Sequence, residues 1–162
     1  MPTVTPSAAH AAIIRPASAA DAPAIYTIEQ QSFKTDGFQL RQFQAALKHG
    51  QNVFLVAEFD HNMTGYIWVL LHQGRPQMGR IYSIAVSPDH QGKGIAAQLL
   101  AEAIKRLERA GLTELRLEVR QDNAHAQQFY THKGFTPFAT APNYYADGMA
   151  ALKMRKQLTP QT

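Results

Sequence analysis

The chain carries two hydrophobic periods. Leu115, Leu117 and Val119 interleave with Glu114, Arg116, Glu118 and Arg120, the alternation of a strand with one buried face. Ile95, Leu99, Leu100, Ala103, Ile104 and Leu107 instead follow helical spacing and predict an amphipathic helix ending at Gly111. Upstream, Ile13-Ile14-Arg15 opens a short strand, and Asp21 with Pro23 starts a helix whose apolar positions are Ala24, Ile25, Ile28 and Phe33. A second helix spans Phe38–His49, with Phe43, Ala46 and Leu47 on one side and Gly50 as its stop. Val53–Phe59 and Thr64–Leu71 flank the turn Asp60-His61-Asn62 and make a hairpin. Gly74-Arg75-Pro76 breaks the chain before a strand over Arg80–Ser87. Asn123–His132 is a short helix ended by Gly134. Phe135–Phe138 and Ala150–Lys156 are closing strands, joined by a loop that holds Asn143-Tyr144-Tyr145. Two helices, a β meander, then strands alternating with helices predict an α/β domain with a central mixed sheet.

Length and composition narrow the function classes. A chain of 162 residues suits one domain, expected over residues 13–158 between a disordered lead-in (1–12) and a frayed tail (159–162). Met1–Ala12 lacks the charged and apolar regions of a signal peptide, and no apolar run reaches the roughly 18 residues of a membrane helix. No cysteine is present, which removes disulfides, thiolate metal sites and cysteine nucleophiles and fits a cytoplasmic protein. The seven histidines show no metal-ligand spacing, so no metal is expected. A net charge of +4 and a pI near 9.5 favour an anionic partner. The basic residues are scattered rather than lined along one helix, and no aromatic–basic signature accompanies them, so nucleic-acid binding is not expected.

The richest chemistry lies between the strand ending at Val86 and the helix beginning at Ile95, in Ser87-Pro88-Asp89-His90-Gln91-Gly92-Lys93-Gly94. A strand that feeds a glycine loop opening a helix makes an anion cradle: glycine lets the backbone approach a ligand, and the first helical N–H groups have no partners of their own. The loop lacks the Gly-Lys-Ser/Thr ending of a Walker A motif and the three-glycine dinucleotide fingerprint. A plain strand-to-helix turn using glycine for its backbone angles accounts for the loop equally well.

The wider segment goes further. Ile84-Ala85-Val86 followed by Gln91, Gly94 and Ala96 in the pattern Gln-x-x-Gly-x-Ala resembles the acetyl-CoA motif of the GNAT acetyltransferases. Leu117-Glu118-Val119-Arg120, Asn123, Ala126, Phe129-Tyr130 and Gly134-Phe135 resemble the second half of the same family. Glu29-Gln30-Gln31-Ser32-Phe33, Ser83-Ile84-Ala85-Val86 and Asn143-Tyr144-Tyr145-Ala146-Asp147-Gly148 with Met154 resemble its N-terminal acetyltransferases, of the ribosomal-protein alanine (RimI-like) kind. The resemblance spans roughly Ile13–Leu158. It implies a single-domain GNAT fold: a central mixed, mostly antiparallel sheet with helices on both faces.

It also implies roles. The backbone of Ile84, Ala85 and Val86 would pair with the pantetheine arm of acetyl-CoA. Gln91, Gly92, Lys93, Gly94, Ile95, Ala96 and Ala97 would hold the pyrophosphate, with Asn123 also touching the cofactor. Glu118 would be general base and Tyr130 general acid. Phe33, Tyr144 and Tyr145 would border the acceptor slot. Lys93, Arg120 and Lys133 are further candidates for the ribose phosphate. Each residue also has a structural reading. Glu118 fits a surface ion-pair ladder with Arg116 and Arg120, and Asn123 a helix cap. Tyr130 fits a half-buried aromatic, Tyr144 and Tyr145 loop packing, and Phe33 a core anchor.

Two departures from the family pattern fall in the acceptor region. Met149-Ala150-Ala151 stands where acidic residues usually follow Asp147-Gly148, and Lys34-Thr35-Asp36-Gly37-Phe38 follows Phe33 where proline and tryptophan are usual. The implied function is acetyl transfer from acetyl-CoA to an amine, in first place the N-terminus of a protein or peptide. The alternatives are a small-molecule amine as acceptor and a non-catalytic acyl-CoA-binding module. An open slot between Phe33 and Tyr144 would favour a peptide, a closed pocket a small amine.

Overall fold

Strand pairing in the computed structural model follows from the turns the sequence places between apolar runs. The structure describes residues 12–33, 36–49, 52–72, 74–75 and 77–161. Residues 1–11 of the expected lead-in (1–12), Thr162 of the expected tail, the stop at Gly50 and the Pro76 end of the Gly74-Arg75-Pro76 break lie outside these residues. Asp60 and His61 both take positive φ, 52° and 65°, the primed geometry that lets two residues reverse a twisted strand pair. They join β2 (Asn52–Phe59) to β3 (Asn62–Leu71) in register, Phe59 opposite Asn62.

The described elements run β1 (Ile13–Pro16), α1 (Ala22–Ser32), α2 (Leu40–Lys48), β2, β3, β4 (Met78–Val86), α3 (Ile95–Arg109), β5 (Glu114–Arg120), α4 (Ala124–His132), β6 (Thr136–Ala141) and β7 (Ala151–Gln157). They form one seven-stranded sheet in the order β1-β2-β3-β4-β5-β7-β6. Every neighbouring pair is antiparallel except β4 and β5, which run parallel through the crossover helix α3.

The sheet is covered on both faces, as the resemblance implied. Ile25 and Ile28 of α1 and Phe43 and Ala46 of α2 pack on Phe54, Val56, Tyr66, Trp68 and Ala85. The intervening residues Leu55, Ala57, Ile67, Val69 and Ile81 point the other way, onto Ile95, Leu99, Ala103 and Leu107 of α3. Tyr130 of α4, Phe135 and the buried row Leu115, Leu117 and Val119 complete that second core.

Some boundaries differ from the sequence reading. Ala24 is exposed, and the buried face of α1 is Ala22, Ile25, Ile28 and Glu29. Phe33 is not helical. It takes φ −131° and ψ 108° and caps α1 through its N–H to the Glu29 carbonyl at 2.8 Å. Phe135 precedes β6 rather than opening it, 1% exposed against the Tyr130 ring at 5.5 Å. Beyond β7, the N–H groups of Leu158, Thr159 and Gln161 donate to Thr113 O, a Glu108 carboxylate oxygen and Glu108 O at 2.8, 2.8 and 3.0 Å.

Gly65 sets how closely α3 and β4 approach. A Cβ there would stand 2.9 Å from the Ala85 carbonyl oxygen and 3.3 Å from Leu99 Cδ1. The first contact is backbone in a paired strand and has little room to give. Gly65→Ala is therefore expected to cost about 1–3 kcal/mol of stability, an overpacking penalty. Urea denaturation followed by tryptophan fluorescence measures it.

Candidate active site

The ladder between β4 and β5 holds for Met78–Ile81 against Glu114–Leu117 and ends there. On its other side β4 stays paired with β3 as far as Val86, after an irregularity in which Trp68 faces Ser83 and Val69 faces Ile81. Tyr82 is thus an extra residue on β4, a bulge that bends the strand. Beyond it, backbone N–H and C=O groups of Ile84–Val86 that a neighbouring strand would take line a cavity of about 750 Å³.

One end of this cavity is the glycine loop. Gly92 and Gly94 have φ of 80° and 76°, and nothing lies within 4 Å of where a Cβ would stand on either. Gly94 caps α3 without a side-chain hydrogen bond, and the first helical bond runs from Gln98 N–H to the Gly94 carbonyl at 3.0 Å. The N–H groups of Ile95, Ala96 and Ala97 therefore stand ahead of the helical ladder, and all three residues line the cavity. These N–H groups, with the positive end of the α3 dipole behind them, are the kind of donors a diphosphate takes. Gln91 also lines it, its amide 3.5 Å from the Val86 carbonyl. Lys93 does not line the cavity. Its ammonium stands 4.7 Å over the Phe59 ring.

Further in, Glu118 and Tyr130 line the same cavity. Glu118 projects from β5, its side chain 15% exposed, and its Oε2 accepts from Arg80 Nε at 2.9 Å. Its Oε1 has no partner among the described residues. The ion-pair ladder with Arg116 and Arg120 does not form around it: Arg116 pairs with Glu114, and Arg120 reaches elsewhere. Tyr130 is 7% exposed in the last turn of α4, and its hydroxyl makes no hydrogen bond among the described residues. Burial, then the nearby Tyr145 hydroxyl, push its pKa well above the ordinary tyrosine value, so it stays protonated at neutral pH. Asn123 caps α4, accepting the Ala126 N–H at 3.1 Å, and also lines the cavity.

A second cavity of about 420 Å³ adjoins the first and shares Asp36, Phe38, Ile81, Tyr82, Glu118 and Tyr145 with it. Arg80, Gly37, Tyr144 and Ala146 complete its wall. Phe33 lines the first cavity, while Tyr144, 42% exposed, lines the second. Two loops meet at this end. Arg120 donates to Asp36 at 2.8 Å, Asp147 at 2.6 Å and Asp122 at 3.1 Å, and its guanidinium lies 5.0 Å over the Tyr145 ring. Arg120 is therefore a clasp between the α1–α2 and β6–β7 loops, not a free cation for a ribose phosphate. Lys133 stands 5.8 Å over Phe129.

Sequence reasoning assigned no role to the polar group beneath this site. Glu29, 1% exposed, accepts from the Tyr66 hydroxyl, from Ser83 Oγ at 3.1 Å and from the Phe38 N–H at 2.8 Å. Tyr66 and Ser83 are 2.6 Å apart, and Glu29 and Ser83 line the first cavity. The signal was present: Glu29 falls four residues after Ile25, a charge on an apolar helical face. Ser32 Oγ, one turn on, is buried with no hydrogen-bond partner among the described residues.

Over residues 21–135 the chain matches the acetyltransferase (GNAT) family. It is 35% identical over 150 residues to an uncharacterized N-acetyltransferase of Methanocaldococcus jannaschii, covering 90% of this chain and 91% of that one. Its fold is similar to the ribosomal-protein-S18-alanine N-acetyltransferase from Escherichia coli, with a TM-score of 0.82 and 27% identity over 93% of this chain and 96% of that one. Ard1 from Thermoplasma volcanium is similar at a TM-score of 0.84 and 27% identity, over 91% and 98%. The chain belongs to the GNAT family and is an acetyl-CoA-dependent N-acetyltransferase. Among the described residues no helix is long and apolar enough to cross a membrane.

Burial raises the pKa of Glu29 above the usual carboxylate value, against the hydrogen bonds that favour its charge. A carboxyl with a raised folded pKa binds more protons folded than unfolded across that interval. Its contribution to stability is full below the unfolded value and declines as pH rises through the folded one. The stability of the wild type minus that of Glu29→Gln should accordingly fall as pH rises from about 4.5. Urea denaturation across pH 4–8 tests this, and a difference that is flat or grows with pH contradicts it.

Proposed function

We propose that the protein acetylates the N-terminal α-amine of a protein or peptide, by direct transfer from acetyl-CoA. The observation that carries this reading is the shared wall: two cavities meet at Glu118, Tyr82 and Tyr145, one backed by the glycine loop and one opening past the exposed Tyr144. A second cavity that opens past Tyr144 and adjoins the one walled by Phe33 suits a chain end better than a sealed pocket would. The ribosomal S18 alanine acetyltransferase of Escherichia coli supports the same substrate class.

In this reading the glycine loop and the N-terminus of α3 hold the pyrophosphate, and the free backbone edge at Ile84, Ala85 and Val86 holds the pantetheine arm. Gln91 and Asn123 flank the cofactor, and Lys93, which stands over Phe59 outside the cavity, has no part in holding it. Acetyl-CoA, when bound, supplies a thioester carbonyl and a thiolate leaving group. An α-amine has a pKa near 8, so a useful fraction is already neutral at pH 7. Glu118 takes the proton that the amine loses as the C–N bond forms, using the unpartnered Oε1, directly or through a water. Tyr130 gives its phenolic proton to the sulfur as the C–S bond breaks, and solvent then restores both groups. The chain holds no cysteine to carry an acyl group. Phe33, Tyr144 and Tyr145 border the incoming chain.

Thiol release from acetyl-CoA in the presence of peptides with different first residues, free amino acids, polyamines and an aminoglycoside tests the reading. Turnover is expected on peptides. Tyr130→Phe and Glu118→Gln should each lower kcat by about 100-fold or more while acetyl-CoA affinity stays within a few-fold. Turnover confined to free amines would replace the substrate class. Full activity in Tyr130→Phe would overturn the assignment of the acid.

A further inference from the structure

Arg80 is the one cation on the wall of the acceptor slot, among the described residues, that sequence reasoning did not single out. It projects from β4 just before the Tyr82 bulge, with its side chain 37% exposed. Nε donates to Glu118 at 2.9 Å, one terminal nitrogen donates to the Tyr144 hydroxyl at 2.8 Å, and the guanidinium lies 5.0 Å over the Tyr82 ring. These three contacts fix the plane of the group. A guanidinium has five N–H donors, and these contacts occupy two of them. The rest have no protein partner among the described residues, beside the residue proposed to take the proton of the attacking amine.

An α-amine of a peptide has a carbonyl oxygen two bonds beyond the carbon that bears it. A simple alkylamine has none. A rigidly held cationic donor beside the base can tell these two apart, because a hydrogen bond to a charged donor is among the stronger ones. Tyr144 and Tyr82 keep the group from turning away. Glu118 keeps it next to the reacting nitrogen.

We propose that Arg80 is a specificity-determining residue, which presents its remaining N–H donors to the carbonyl oxygen next to the attacking amine and so selects α-amino-carbonyl acceptors over plain amines. The proposal rests on the reading that the slot takes a peptide N-terminus. It names what in the slot recognises that terminus.

The test compares two acceptors in each of three enzymes. One acceptor is an alanine-first peptide. The other is the same peptide with its first amide replaced by an (E)-alkene, which keeps the shape and removes the carbonyl. The enzymes are the wild type, Arg80→Met and Arg80→Lys, and the reading is the ratio of kcat/KM for the two acceptors. Differences in intrinsic amine reactivity are common to all three enzymes, and a loss of folded protein affects both acceptors alike, so neither moves the comparison. The wild type should favour the carbonyl-bearing peptide. In Arg80→Met that preference should fall by about 10- to 100-fold, through KM and kcat of the natural peptide rather than of the alkene, and Arg80→Lys should recover part of it. A ratio in Arg80→Met within about twofold of the wild type, or no preference in the wild type, overturns the proposal while leaving peptide acetylation standing. Absence of turnover on the natural peptide in the wild type removes the functional reading, and this proposal with it.

Discussion

Four parallel residue pairs join β4 to β5, and past Ile81 and Leu117 the two strands separate. The rest of the site depends on that parting. A parallel pair cannot be joined by a tight turn, so a crossover helix must connect its strands. That helix, α3, follows β4 through the loop 87–94, which sets its unpaired N–H groups and the glycines at one mouth of the gap. β5 ends at Arg120, so Asn123 and α4 follow on the far side and bring Tyr130 to the same space. Strand alternation divides β5, with Leu117 and Val119 into the core and Glu118 toward the cavity. One break in a ladder thus brings together an anion cradle, a free backbone edge, a carboxylate and a phenol.

The end of the site at the second cavity is organised by polar contacts together with aromatic packing. Burying a carboxylate such as Glu29 is costly unless donors surround it. Here Tyr66, Ser83 and the Phe38 N–H do so, and the last of these ties the start of α2 to the sheet. The Phe38 ring then stacks on Tyr82 at 6.0 Å and meets Trp68 edge-on at 5.0 Å, closing the wall above the bulge. On the opposite side Arg120 gathers Asp36 and Asp147, and Arg80 holds Tyr144. Exposed ion pairs contribute little to stability. What these do is hold the α1–α2 and β6–β7 loops together beside the second cavity.

Much of the fold was legible because local and global preferences agree. The alternation in β5, the helical spacing of α3 and the hairpin at Asp60-His61 each need only their own neighbourhood. The glycine loop was legible for the same reason. What the sequence hid was long-range pairing. Arg120 and Asp36 are 84 positions apart, so a cation that looked free for phosphate is committed to carboxylates. Arg80 and Glu118 are 38 apart, and the Tyr82 bulge that follows Arg80 leaves no mark on strand periodicity. Phe33 sits on helical spacing, yet the chain turns there because the Glu29 side chain, one turn back, takes the Phe38 N–H.

Acetyl-CoA is proposed to enter the gap between β4 and β5. Amide hydrogen exchange with and without coenzyme A tests this most directly, residue by residue. Exchange should slow at Ile84–Val86 and at Gly92–Ala97 when coenzyme A is bound, with β1 and β6 unchanged. Binding of coenzyme A that leaves those amides unaltered, or that protects another surface, would contradict it.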